Sequence, residues 1–520
     1  MRIRRSTRNT LVVVAVCASA AAAGCSSDPS ADFTVGKDKP LVISLDELLD
    51  RTGGSAAVAI AKPEHGTITR QTDGALVYTP AAGYTGPDKI EVTTTDAVRL
   101  YTTDIAPLGE FGGATVQGSA YGSAFVPVPG ADGEFYGLTD RGPNVDGPGK
   151  NEKLAVVPAF TPQIARFKLV GNKAVVQSTI LLRNRAGKPF NGLVDVSADT
   201  GETMKDLNGT VLTPTDHGID SEGLVALPDG TFWVSDEYGP FLVHFDAEGT
   251  ELERLTPGQG LPKELRLRTP NQGMEGLTVT PDGSTLVGVV QSGLSTAGVS
   301  SAREVPMTRI VTVDLKTKAV KEFAYPLENP KEKLAVSEIT ALSNTTFLVD
   351  ERDGNKAPKA NKKLWTIDIA GATDIGPQST VPGAVYDPEQ GLLVEGKPLE
   401  TWVGTVPTAD GVAALRRAGI TPVGKKLGLD LGGLVDALNP DGKFFAHDKI
   451  EGIATTDGGK TLYIANDSDF GLAGAGNKPP FTLKPKTMPD GAQDSGEILA
   501  VDTTRLPAET ETKTVTLTVQ

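Results

Sequence analysis

Asp220-Ser221-Glu222-Gly223-Leu224-Val225-Ala226-Leu227 runs into Pro228-Asp229-Gly230 and out again as Thr231-Phe232-Trp233-Val234-Ser235-Asp236-Glu237. Two short apolar runs joined by a Pro-Asp-Gly turn read as a β-hairpin. The unit recurs. Met274 to Thr280 turns at Pro281-Asp282-Gly283 into Thr285 to Gln291, and Val336 to Leu342 turns at Ser343-Asn344 into Thr346 to Arg352. Lys449 to Ala454 turns at Asp457-Gly458-Gly459 into Thr461 to Asp467, and a divergent copy runs from Gly118 through Asp132-Gly133 to Arg141. A further strand closing on an aspartate follows in four cases, at Asp246, Asp314, Asp368 and Asp502. Short antiparallel strands repeating every ~40 to 60 residues predict a β-propeller. Five units are legible. The expected ring has six blades, one of them irregular, and closure by strands from both ends of the domain is one way to shut it.

Composition points the same way. The 520 residues suit two or three domains, and 59 Gly with 36 Pro favour tight turns over long helical bundles. The net charge is −15, and the first 24 residues hold four arginines and no acid, so the remainder is more acidic still. Such a surface repels phosphate backbones, which argues against nucleic-acid binding. Two cysteines exclude a disulfide framework, a zinc ribbon and a cysteine-ligated cluster.

Met1 to Arg8 is basic and Leu11 to Ala23 apolar, too short for a permanent membrane span, so residues 1–24 read as a secretory signal. The small residues before Cys25 resemble a bacterial lipobox, which implies lipidation of Cys25 and anchoring to the cell membrane outside the cytoplasm; ordinary signal cleavage is the alternative. Residues 25–32 form a polar tether, 33–107 a small β module, 108–506 the propeller and 507–520 a C-terminal strand. In the small module, His65-Gly66-Thr67 and Tyr78-Thr79-Pro80-Ala81-Ala82-Gly83-Tyr84-Thr85-Gly86 resemble bacterial Ig-like (cadherin-like) repeats, which implies a β-sandwich. About 70 residues is short for a sandwich of ~100, so the module is truncated or leans on its neighbour. Residues 382–443 do not fit the repeat and read as an insertion with a helix near Gly411 to Ala418.

In a hairpin the residue before the first strand and the one after the second lie at the same end. Glu222 with Asp236, Glu275 with Gln291, Glu338 with Asp350, and Glu451 with Asn466-Asp467 should therefore pair at one end of their blades. Ring symmetry then gathers them at one mouth of the central channel. Converging carboxylates raise one another's pKa, and a hard cation such as Ca²⁺, with six to eight oxygen ligands, relieves the conflict. The expected metal ligands are Glu222, Glu275, Glu338, Asp350, Glu451 and Asp467. The same acids can instead cap blade hydrogen bonds, and both roles stay open here.

Leu138-Thr139-Asp140-Arg141-Gly142-Pro143-Asn144, Gly218-Ile219-Asp220-Ser221-Glu222-Gly223-Leu224, Val234-Ser235-Asp236-Glu237-Tyr238-Gly239-Pro240, Asn271-Gln272-Gly273-Met274-Glu275-Gly276-Leu277 and Asp448-Lys449-Ile450-Glu451-Gly452-Ile453 resemble the phytase-like (esterase-like activity of phytase) domain family of exported bacterial proteins. The resemblance spans about residues 108–506 and implies a propeller that hydrolyses phosphoesters or esters. No G-x-S-x-G elbow and no P-loop occur. A phosphohydrolase of this build would use metal-activated water and cationic clamps. Glu222, Glu275, Asp236 and His447 are the candidate catalytic groups; Arg141, Arg352 and Lys449 are the candidate substrate clamps, with salt bridges to neighbouring acids as their plainer role. Three functions compete: a calcium-dependent phosphoester hydrolase acting as a monomer on a small substrate, a non-catalytic lipid-anchored binding propeller, and an esterase or lactonase resembling calcium propellers of the gluconolactonase type.

Overall fold

The computed structural model describes residues 31–71, 73–198 and 201–520; the signal segment and Cys25 lie outside them. Five four-stranded units stand around one axis. Blade one is Ala124–Pro127, Glu134–Leu138, Gln163–Val170 and Lys173–Leu181; blade two is Ser221–Ala226, Phe232–Asp236, Leu242–Phe245 and Glu251–Pro257, with a short parallel addition at Gly260–Leu261. Blade three is Met274–Val279, Thr285–Val290, Met307–Asp314 and Val320–Pro326, and blade four Ala335–Ala341, Thr346–Arg352, Lys362–Asp368 and Gly424–Asp430. Blade five joins Ile450–Ala454, Thr461–Asn466 and Glu497–Asp502 to a strand from far upstream, Val98–Thr103. Each innermost strand lies against the next, and that of blade five meets that of blade one, so the ring is shut at five. The expected sixth blade does not exist among the described residues: the five legible repeats are the whole ring.

Five apolar clusters fill the five gaps between blades. The alternation read from the sequence supplies them, because every second side chain of a strand faces a neighbouring blade. Trp233 shows what one such residue contributes. It is buried between blades two and three, stacks on His244 at 4.6 Å and lies beneath Lys318 at 5.4 Å. Trp233→Ala is expected to cost ~3–5 kcal/mol of stability, checked by chemical denaturation.

The leading module is a two-sheet sandwich, and the chain's other end completes it. One sheet is Phe33–Val35, Glu511–Val519, Gly86–Thr95 and Ala56–Ile60; the other is Leu41–Ile43, Leu76–Pro80 and Gly66–Arg70. Glu511–Val519 pairs along the whole of Gly86–Thr95, from Glu511 opposite Thr94 to Val519 opposite Gly86. Its Val515, Leu517 and Val519 enter the sandwich core. The boundary expected at residue 107 therefore moves. Val98–Thr103 belongs to the propeller, while 511–519, expected as a separate terminal strand, belongs to the sandwich. The module is short in sequence because one strand comes from elsewhere. Two paired strands pass from one unit into the other.

Two additions flank the ring. Residues 369–423 are inserted between the third and fourth strands of blade four, carry helices Leu399–Val403 and Thr408–Arg417, and pack on Val305, Met307 and Ala324 of blade three. The insertion is shorter than the expected 382–443 at its C-terminal side because Gly424–Asp430 is an ordinary outer strand. The second addition is a cap. Hairpins at Gly109–Phe111 with Ala114–Val116, Asn144–Asp146 with Glu152–Ala155, and Leu472–Ala475 with Leu483–Pro485 share one apolar cluster around Phe160, Phe470 and Phe481. The hairpins of blades one and five leave the ring just past its second strands, the end where the acids lie.

Candidate metal centre

Strand register explains which acids reach the axis. The inner hairpins hold the cross-strand pairs Leu224 with Val234, Leu277 with Gly288, Ile339 with Val349 and Ile453 with Ile464. Two residues before the first member of each pair stand Glu222, Glu275, Ser337 and Glu451; blade one, with Ala124 opposite Leu138, has Gly122 there. Three residues after the second member stand Glu237, Gln291, Arg352 and Asp467, with Arg141 in blade one. Between the pair and the glutamate each inner strand carries a bulge. A one-residue change of register turns side chains to the opposite face. Ser221 therefore faces Asp236, and Glu222 shares its face with Glu237 rather than with Asp236.

Carboxylate oxygens of Asp220, Glu222 and Glu237 lie within 4.8 Å of one another, and all three residues are buried. Gln291 ties Glu237 to the next blade, donating from Nε2 to Glu237 Oε1 at 3.1 Å and Glu275 Oε1 at 2.8 Å. Glu451 accepts from Arg352. Glu275 Oε2 and Glu451 Oε2 are buried with no hydrogen-bond partner. Burial first, then the neighbouring acids, hold Glu222 and Glu275 well above the usual carboxylate range and push Glu237 up to about 8. Asp467 rises to about 6 for the same primary reason, with Lys449 opposing.

The structure brings together Glu222, Glu275, Glu451 and Asp467 but sets four expected site residues apart. Asp236 accepts from Gly239 N at 2.7 Å and faces Asp195 and Arg254, so it caps the turn after its own strand. Glu338 sits one residue past the axial position, accepts from Ile339 N at 2.7 Å and lines the apolar half of the channel, a cavity of about 210 Å³ with Leu224, Leu277 and Ile453. Asp350 pairs with Glu338 in the ladder, below the mouth, both its oxygens without partners. His447 donates from Nδ1 to Asp494 at 2.9 Å and from Nε2 to Glu497 at 3.0 Å. Burial opposes its charge, yet the two acids hold it up to about 9, a fixed cation away from the mouth. Sequence reasoning passed over Asp220 and Glu237 as ligands. The Glu-Gly dipeptides, where bulges form, were the signal that would have exchanged Asp236 for Glu237.

The three expected clamps are all engaged by acids. Arg141 reaches Glu202 at 3.2 Å and Asp220 at 3.5 Å and lies over the Tyr238 ring at 4.5 Å. Arg352 pairs with Glu451, and Lys449 lies 2.8 Å from both Asp467 and Asp469. Their plainer role, ion pairing, is the one in the structure. Acids still outnumber them at the mouth, where Asp140, Asp220, Glu222, Glu237, Glu275, Glu451 and Asp467 are all buried.

This excess predicts a pH dependence. Burial pushes Glu237 up to about 8 and Asp467 to about 6 and holds Glu222 and Glu275 well above the usual carboxylate range, whereas in an unfolded chain all four ionise near pH ~4. Between those limits the folded state holds more protons, so metal-free protein loses stability as pH rises. The melting temperature is expected to fall by on the order of 5 °C or more between pH 5 and pH 8, and added CaCl₂ should restore it most at pH 8. Calorimetry in EDTA and in calcium checks this.

Residues 119–470 match the family described as "Phytase-like: Esterase-like activity of phytase". The chain belongs to this family. Residues 25–106 match a bacterial Ig domain. An uncharacterized secreted protein of Arthroderma benhamiae is 27% identical over 312 residues, which cover 48% of this chain and 60% of that protein. The alignment thus leaves two fifths of the relative unmatched. Among solved structures, a virginiamycin B lyase from Staphylococcus aureus with quinupristin shows 11% identity over 78% of this chain and 99% of its own, at a TM-score of 0.29. YCF48 bound to D1 peptide shows 11% identity over 92% and 99%, at 0.27. Scores so low carry no argument; the propeller rests on its own strand order.

Proposed function

We propose that this protein is a calcium-dependent ester hydrolase, with phosphoesters as its substrate class. The supporting observation is the buried triad Asp220, Glu222 and Glu237, whose spacing suits oxygen ligands gathered 2.3–2.6 Å around one hard cation. No cysteine lies among the described residues, and the two histidines nearest these acids in sequence are engaged elsewhere, His217 with Asn191 and Asp216 and His447 with Asp494 and Glu497, which disfavours zinc. When bound, Ca²⁺ supplies Lewis-acid activation of the ester and the attacking water. Glu275 Oε2, buried and unpartnered, is an atom able to take up or return a proton. Gln291 holds Glu275 by its other oxygen and so orients it. Because Arg141, Arg352 and Lys449 are paired with acids, anionic substrate has little protein cation to bind and should depend on calcium for docking as well as chemistry.

The test compares aryl phosphates, aryl acetates and lactones with purified protein, in EDTA and after calcium is returned. Turnover of aryl phosphate that is lost to the chelator and restored by calcium supports the reading; turnover of acetates or lactones alone reassigns the substrate, and no turnover removes catalysis. One observation favours a non-catalytic reading: the axial acids are each less than a tenth exposed. The ion would then be a keystone for the ring, and calcium would raise the melting temperature without product forming. The N-terminal segment, and a relative described as secreted, support export, with Cys25 as the proposed lipid attachment point. Among the described residues no helix is long and apolar enough to cross a membrane.

A further inference from the structure

A single file of charges, buried at Glu497, His447, Asp494 and Lys486 and half-buried at Arg70, Asp469 and Lys449, links the sandwich to the mouth. Arg70, at the end of a sandwich strand, pairs with Glu497 Oε1, while Glu497 Oε2 takes His447 at 3.0 Å. Asp494 gives Oδ1 to His447 at 2.9 Å and Oδ2 to Lys486 at 3.2 Å. Asp469 gives Oδ2 to Lys486 at 2.7 Å and Oδ1 to Lys449 at 2.8 Å, and Lys449 reaches Asp467 at 2.8 Å. Glu497, Asp494 and Asp469 each spend their two oxygens on two different cations. Lys486 also touches Asp448 at 2.7 Å, and Arg70 lies 3.9 Å from Asp490. In a low-dielectric interior, a cation freed from one neighbour is drawn harder to the other.

We propose that the leading sandwich is a working part of the acidic mouth, and that Arg70, His447 and Lys486 are positioning residues that set how firmly Lys449 is held against Asp467. The file has a signed response. Removing a cation lets the next acid pull its remaining partner, so the shift passes along the row and draws Lys449 off Asp467 toward Asp469. Removing an acid sends Lys449 the other way. The mouth becomes more negative in the first case and less so in the second. A spacer module would have no such effect.

The calcium readout rests on the function proposed above; a structural readout does not. Calorimetric titration with CaCl₂ in 1 M KCl, where the Debye length is ~3 Å, suppresses effects acting through solvent. Lys486→Met should bind calcium ~5-fold tighter, Asp494→Asn ~5-fold weaker, Arg70→Met ~2-fold tighter and Glu497→Gln ~2-fold weaker, as coupling fades with distance. Lys486→Arg should restore the parent affinity, and Lys484→Met, exposed two residues away, should change nothing. General loosening of the fold would weaken all the variants, and that uniform sign would overturn the proposal. Should Lys486→Met not fold, the Arg70 and Glu497 variants at the sandwich end carry the same test. If the parent binds no calcium, crystal structures of Lys486→Met and Arg70→Met decide: Lys449 Nζ leaving Asp467 supports the proposal, and a contact unchanged at 2.8 Å in both overturns it.

Discussion

Glu222→Gln is expected to weaken calcium binding by ~100-fold or more and to take calcium-dependent hydrolysis below detection. The loss follows from charge count: calcium affinity is tuned by the carboxylates a site supplies, and altering even an outer partner of a metal ligand costs ~10–100-fold. Glu222 is one of three buried acids whose carboxylate oxygens converge. The same substitution should raise the stability of the calcium-free protein at pH 8, because one carboxylate fewer must be ionised or kept protonated among its neighbours. Asp236→Asn, in the same blade, is the contrasting case. Its carboxylate turns to Gly239 N, an acceptor role that the Asn oxygen keeps, so calcium affinity should stay within ~3-fold of the parent. Titration calorimetry and thermal melts on both variants check the pair together. Equal loss of calcium affinity in both would sink the axial assignment.

Deleting residues 507–520 is expected to have the largest structural effect. The segment contributes Val515, Leu517 and Val519 to the sandwich core, each at most 2% exposed. Burying such side chains is worth ~1.5–3 kcal/mol apiece, and the deletion also leaves Gly86–Thr95 and Phe33–Val35 without their shared partner. The sandwich should unfold at room temperature and become sensitive to limited proteolysis between residues 33 and 95. Supplying residues 507–520 as a synthetic peptide should restore protection, with mass spectrometry locating the cuts. A truncated protein that resists protease as well as the parent does would show that the terminal strand is dispensable.

Much of the ring was legible because a two-residue period and Pro-Asp-Gly turns are local signals. The hairpins around Asp229, Asp282, Asn344 and Asp457 all stand where the spacing puts them, and so do the third strands ending near Asp246, Asp314, Asp368 and Asp502. The blade count was not legible, since ring closure depends on the wedge angle between sheets rather than on any one sheet. Nor was the ownership of Glu511–Val519, whose partner lies more than 400 residues upstream. At the mouth, Glu222, Glu275 and Glu451 were found by spacing, but a hairpin without bulges assigns Asp236 and Asp350 to the axis. The bulges give those places to Glu237 and Arg352 instead. His447 was misplaced for another reason: closeness in sequence to Glu451 says nothing about direction, and the ring nitrogens are claimed by Asp494 and Glu497.

The exchange of strands between the two units bears on how the chain comes to be folded. Residues 98–103 wait for 497–502 before blade five can shut, and residues 86–95 wait for 511–519 before the sandwich can. Neither unit can therefore reach its final form before residues 497–519 are in place. Blades one to four draw all their strands from residues 124–430, so the two late pairings act as clasps on a ring that is otherwise local in sequence.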